Sequence, residues 1–252
     1  MSVDKGNVIP VATNINKFLE NNWNPSTDFP GSRTVLVAFR TIGSFKNEYV
    51  WNRRAASFTS KPGDVFPHGR MCHAEMLLPL GEDRYVKCSV IKKNYNGKDA
   101  KGNIKWKAMG VHCKITSPSE WKNKYVFMTL SCKRSHILKA LKFYLVNNGQ
   151  KFNYAGYYAA LIVPGAIGVK HFDEKLMKKP RKYFCTELIT TGIQCLASTD
   201  TTEQPDGHWK KTIWTMNPST SHPNGLFRLL SEPDSQAFPT TPLGKEIGVD
   251  FA

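Results

Sequence analysis

At 252 residues, with 40 % hydrophobic and 12 % aromatic content, the chain can bury a sizeable core as one large domain without cross-links. Six cysteines without a framework spacing, no opening secretory segment and no apolar run long enough to cross a bilayer argue against a disulfide-stapled secreted module and against an integral membrane protein. A cytoplasmic protein is expected, and its formal charge of +15 points to an anionic contact: nucleic acid, a lipid surface, another polyanion or an acidic partner.

In chain order, residues 1–31 form a polar extension with one amphipathic stretch at Ile15–Leu19. Thr34–Phe39 has the composition of a strand. A polar, basic stretch runs to Arg70. Cys72–Leu80 and Arg84–Lys92 form a hairpin turning across Pro79–Asp83. Asn94–Asn103, with its glycines and asparagines, reads as loop, and Lys105–Ile115 and Lys124–Cys132 read as strands. Ser135 is the expected N-cap of a helix whose apolar face is Ile137, Leu138, Leu141, Tyr144 and Leu145, ended by Asn147-Asn148-Gly149. A second apolar segment, Tyr154–Val163, stops at Pro164-Gly165, and a helix from Cys185 follows. Beyond Ala197 the chain is polar and proline-punctuated, with one apolar island at Asn224–Leu230. Strands first and helices later predict an α+β fold: a core over 32–232 and a proline-containing tail over 233–252.

Nucleic-acid signatures are missing, and so are a Walker loop and a dinucleotide fingerprint. Cys72-His73 and His112-Cys113 are adjacent pairs, not the spacing of a zinc site, so neither a metal nor another cofactor is expected.

The residue with the clearest chemistry is Cys185, in Tyr183-Phe184-Cys185-Thr186-Glu187-Leu188. Leu188, Ile189, Ile193 and Leu196 recur after it at helical spacing, which places the cysteine at a helix N-terminus. Free N–H groups and the positive end of the helix dipole favour thiolate there and can hold an oxyanion. A lone helix cysteine is more often core, and mid-helix Cys195 fits that description. A cysteine nucleophile needs a base. Of seven histidines, His73 is best placed, opening a strand after a long loop. His68, His208 and His222 lie in Pro/Gly-rich loops and read as solvated, and His112 and His136 read as structural.

The set Val35–Phe45, Cys72-His73-Ala74-Glu75-Met76, Tyr85–Val90, Phe152–Gly156, Tyr183–Leu188 and Asn217–Leu226 resembles the circularly permuted NlpC/P60 (papain-like) superfamily. The likeness is to its bacterial and poxviral amidases, with lecithin:retinol-acyltransferase-type proteins more distant, and it spans about residues 32–232. It implies Cys185 as nucleophile, His73 as general base, and an antiparallel sheet packed on the cysteine helix. It also implies a substrate with an amide, peptide or lipid acyl bond, and a role for Tyr154 at the pocket or oxyanion. Relatives often carry a glutamate on the strand after the histidine, and Tyr85–Val90 has none. With Val86, Cys88 and Val90 facing inward, Cys88 would point at the site, or Ser89 if a bulge shifts the register. Glu75, two residues from His73, is favoured slightly over Ser89 as the group that orients the base. Lys182, in the basic run from Lys175, would lower the thiol pKa or receive an anionic substrate, or is simply solvated. The absent glutamate and the charge support a second reading, an inactive member of the fold that binds or assembles through its basic surface.

Overall fold

A computed structural model describes residues 8–10, 14–23, 34–42, 70–81, 83–98, 104–121, 125–162, 168–197, 216–231 and 238–239. Gly43, Ser44, His68, His208 and most of the tail lie outside these residues.

The described elements run α1 (Ile15–Asn22), β1 (Thr34–Thr41), β2 (Met71–Gly81), β3 (Arg84–Lys98), β4 (Ile104–Thr116), β5 (Val126–Ser131), α2 (Arg134–Asn147), α3 (Tyr154–Ile162), a single turn α4 (Lys175–Lys178), α5 (Cys185–Ala197), α6 (Pro223–Ser231) and β6 (Phe238–Pro239). The fold is α+β. One antiparallel sheet has the order β4-β3-β2-β1-β5-β6. Neighbours in sequence are mostly neighbours in the sheet, as short connections favour.

Alternation along the strands sorts side chains to two faces. Val35, Val37, Phe39, Ala74, Met76, Leu78, Val86, Cys88, Val111, Met128 and Leu130 join the helices in the larger core. Leu36, Ala38, Leu77, Tyr85, Trp121 and Phe127 form a smaller, aromatic-rich cluster on the other face. In that cluster Tyr85, Trp121 and Phe127 pack ring to ring at 5.0 and 5.4 Å.

α5 is buried nearly all round, from Thr186 to Ala197, and packs on α2, β2 and β3. Its crossing with α2 is close at Gly192, where a Cβ would collide with the Tyr144 ring. Glycine costs about 1 kcal/mol in a helix interior but lets the two axes approach. Within the N-terminal stretch, Ile9, Phe18 and Leu19 enter the larger core, and the Ile9 N–H donates to the Cys113 carbonyl.

Three local expectations change. Residues 94–98 are strand rather than loop, because β3 and β4 keep pairing out to Lys98↔Ile104 through two irregularities. The N-cap of α2 is Lys133, without a side-chain cap bond, and Ser135 lies in the first turn. His222 is partly buried, and burial lowers its pKa.

Candidate active site

Cys185 is the first residue of α5, and Phe184 is the cap whose carbonyl accepts the Leu188 N–H. The side chain of Glu187 turns back to accept the Phe184 N–H at 3.3 Å, which is half of a capping box. It also accepts the Val169 N–H at 2.8 Å and Asn153 Nδ2 at 3.2 Å. A buried carboxylate with three donors ties the start of α5 to two other segments; burial raises its pKa against those bonds. Gly168 makes the close approach possible: its φ is +142° and a Cβ there would lie 2.5 Å from Glu187 Oε1. The segment before the cysteine is fixed as well, since Phe152 and Tyr183 form a parallel bridge and the Arg181 N–H donates to Asn147 Oδ1.

His73 enters from β2 at an irregularity. Arg40 pairs with His73, but Thr41 pairs with Met71, so Cys72 is an extra residue on β2. Met71 and Ala74 consequently both enter the larger core, and Cys72 and His73 stand between them. Bulges of this kind bend a strand and re-aim a side chain. The His73 ring lies beside the Cys185 thiol, and each shifts the other's pKa. Its Nε2 lies 3.1 Å from Ser89 Oγ and 3.4 Å from Glu75 Oε1, so Nδ1 is the nitrogen left for the thiol.

Ser89 reaches this place without a bulge. β2 and β3 pair Met76↔Cys88, so Glu75 stands opposite Ser89 on the same face. The expectation that Cys88 points at the site is overturned. Cys88 is fully buried in the larger core, 3.7 Å from Cys113 across the β3–β4 pair, and the site occupies the other face of β3 with Lys87 and Ser89. The apolar face of β3 turns to the helices, and the polar face opposite carries the site.

Behind the histidine is a buried ionic cluster. Arg40 donates to Glu75 Oε1 at 2.8 Å, and Lys87 Nζ is 2.6 Å from Glu75 Oε2. Both cations also donate to the Tyr125 hydroxyl, at 2.5 and 2.9 Å, and lie 5.0 and 5.1 Å from its ring centroid. Burial would push the Glu75 carboxyl up, but Lys87, Arg40 and His73 outweigh it and hold the carboxyl well below the usual range.

This arrangement fixes protons. Ser89 Oγ donates its one hydrogen to Glu75 at 3.0 Å. Toward His73 it can then only accept, so Nε2 carries a hydrogen and Nδ1 of the neutral ring is bare toward Cys185. Burial disfavours the His73 cation, yet the bonds and charges of Cys185 and Glu75 prevail and raise its pKa. Burial likewise opposes the Cys185 thiolate, yet His73, then the Thr186 hydroxyl and backbone N–H, lower its pKa. The opposed shifts bring the two titrations toward one another, the direction that favours proton transfer from the Cys185 thiol to the His73 ring.

Two expected residues stand apart from this cluster. Tyr154 begins α3, is 51 % exposed, and packs its ring on Phe152 at 4.6 Å. The tyrosine near the thiol is Tyr157, one turn along: its pKa is raised by burial first and then by Cys185, and its ring is 6.0 Å from Phe184. Lys182 is exposed, as are Lys175, Lys178, Lys179 and Arg181. The groups that sequence reasoning left without a role at the site are Arg40, Lys87, Tyr125, Tyr157 and Glu187; pairing Arg40 with His73 across β1 and β2 would have drawn attention to that face.

Among the described residues, no group of three or more His, Cys, Asp or Glu side chains is placed to hold a metal ion, and no helix is long and apolar enough to cross a membrane. Compared with protein-family models, with curated proteins and with solved structures, the chain matches none.

Proposed function

We propose that the chain is a thiol hydrolase or acyltransferase with a permuted papain-like core, acting on an amide, peptide or lipid acyl bond. The observation that carries this reading is the pairing of Cys185, first residue of α5, with the His73 ring, a neighbour that lowers the thiol pKa while its own is raised. The Cys185 thiolate attacks the carbonyl carbon, a C–S bond forms, and the carbonyl π pair moves to oxygen. The N-terminal N–H groups of α5, unused within the helix, stabilise that oxyanion. Imidazolium His73 gives its Nδ1 proton to the leaving group as the tetrahedral adduct collapses to the thioester. The neutral ring then takes a proton from water or an acceptor alcohol or amine, which attacks the thioester and releases Cys185.

Ser89 and Glu75 together play the orienting part, Ser89 in contact with the ring and Glu75 behind it. The carboxylate that relatives often carry on the strand after the histidine comes here from the histidine's own strand. That supports activity despite the absent glutamate, and weighs against an inactive binding or assembly protein. The test is covalent trapping. With an activated acyl ester, the protein should accumulate an acyl adduct on Cys185, found by peptide mass mapping, and release it slowly to water. Cys185→Ala should lose adduct and turnover together. Folded wild-type protein that forms no adduct with activated, peptide or lipid esters would return the fold to the non-enzymatic reading.

A further inference from the structure

α3 departs from the pattern of surface helices. Its sequence, Tyr-Ala-Gly-Tyr-Tyr-Ala-Ala-Leu-Ile, has no charged residue, yet only Gly156 and Ala160 are buried. A helix that is apolar on every side is ordinarily buried on every side. Among the described residues, four large hydrophobic side chains are exposed, and three of them are on this helix: Tyr154 at 51 %, Tyr158 at 46 % and Ile162 at 79 %. They stand at i, i+4 and i+8, which is one stripe. The side toward the protein is held: Asn153 Oδ1 accepts the Gly156 N–H, and Tyr157 packs on Phe152 and Phe184.

The stripe begins beside exposed cations. The Phe152↔Tyr183 bridge is parallel, and the Asn153 N–H donates to the Tyr183 carbonyl. Lys151 therefore leads into α3 alongside Arg181 and Lys182, which lead into α5, and all three are exposed. Of the acidic residues just upstream, Glu174 pairs with Lys139.

We propose that α3 is an interfacial docking helix that lays Tyr154, Tyr158 and Ile162 into an anionic lipid surface, with Lys151, Arg181 and Lys182 on the headgroups. Nine residues rise only about 13 Å, so the helix lies in the surface and does not span it. Tyrosine suits that depth, with its ring among the acyl chains and its hydroxyl in water. A second copy of the chain is the poorer occupant, because two molecules of formal charge +15 repel. Tyr157 of the same helix stands near Cys185, so docking carries the thiol to the surface. Only that consequence rests on the proposed chemistry; the docking does not.

Flotation with vesicles tests this. Vesicles of phosphatidylcholine mixed with phosphatidylserine should carry the full chain up the gradient, and phosphatidylcholine alone should carry far less. Raising salt from about 0.1 M to about 1 M, which shortens the screening length from about 10 Å to about 3 Å, should release it. The triple variant Tyr154→Ser, Tyr158→Ser, Ile162→Ser should lose affinity on the order of tenfold or more, since each change removes apolar area from the lipid contact. Ile162→Ser alone provides a milder version with the same sign, and circular dichroism checks that both fold. Lys151→Glu with Lys182→Glu should also weaken binding, and Cys185→Ala should bind as wild type, which separates failure of docking from failure of the chemistry. No flotation of folded wild type, or a folded triple variant that floats as well as wild type, overturns the proposal. So does sedimentation showing a wild-type oligomer that the triple variant turns into a monomer, for then the stripe meets protein and not lipid.

Discussion

Glu75 is the most consequential charge in the site, because two cations and a serine depend on it. Replacing it with Gln leaves the half-buried Arg40 and Lys87 without their counter-charge. Breaking a fully buried pair costs about 3–5 kcal/mol; with both cations partly solvated, Glu75→Gln should lower the unfolding free energy read by urea denaturation by about 2–3 kcal/mol. Its pH dependence has a definite sign. The folded pKa is depressed, so the stabilisation is complete above the unfolded carboxyl pKa of about 4.3. It is lost as pH falls from there toward the folded value. This acid step should be absent in Glu75→Gln. Ser89→Ala separates orientation from stability. It should leave the ionic cluster in place and slow adduct formation by about tenfold, the worth of one hydrogen bond of ~1–1.5 kcal/mol. A variant that unfolds instead would make Ser89 a structural residue. Glu75 and Ser89 were both named from the sequence, as alternatives. Whether both reach the ring depends on which residue of β3 stands opposite Glu75, and strand periodicity without a partner leaves that open.

At the scale of elements, the sequence marked β1, the β2–β3 hairpin and the cysteine helix, where alternation or helical spacing is strong. It missed the outer half of the β3–β4 ribbon, whose glycine and asparagine composition reads as turn, because long-range pairing overrides local preference there. It also misplaced the cap of α2, since Lys133 caps without a side-chain bond and Ser135 only looked the part. What positions Cys185 is tertiary: Glu187 tying α5 to Val169 and Asn153, and Gly192 admitting Tyr144. Gly168→Ala should cost about 1–3 kcal/mol from backbone strain and from crowding of the Glu187 carboxylate. Chemical denaturation reads that loss. The same variant, still folded, should alkylate at Cys185 with altered kinetics if the Glu187 tie sets the helix start; unchanged kinetics would confine Gly168 to a packing role.

Across the whole molecule, the sheet order β5-β1-β2-β3 lines up Tyr125, Arg40, His73 with Glu75, and Lys87 with Ser89, on one face. The bulge at Cys72 lets the ring of His73 meet a helix that begins more than a hundred residues later. No local pattern encodes that meeting. Only the order of the segments and the family resemblance suggested it, and the wrong strand face at Cys88 came from apolar alternation along β3. The central claim is an activated thiolate at Cys185 held by His73. The other five cysteines are buried and Cys185 is only half-buried, so faster labelling alone would report access rather than activation. The decisive measurement is the pH dependence of a short iodoacetamide pulse at Cys185, read by mass mapping in wild type and in His73→Ala. In wild type the rate should already be high well below the ordinary thiol pKa of about 8.5. In folded His73→Ala, where burial acts without the imidazole, the onset should move up past that value. An onset at the ordinary thiol pKa in wild type, or the same onset in both proteins, would contradict it.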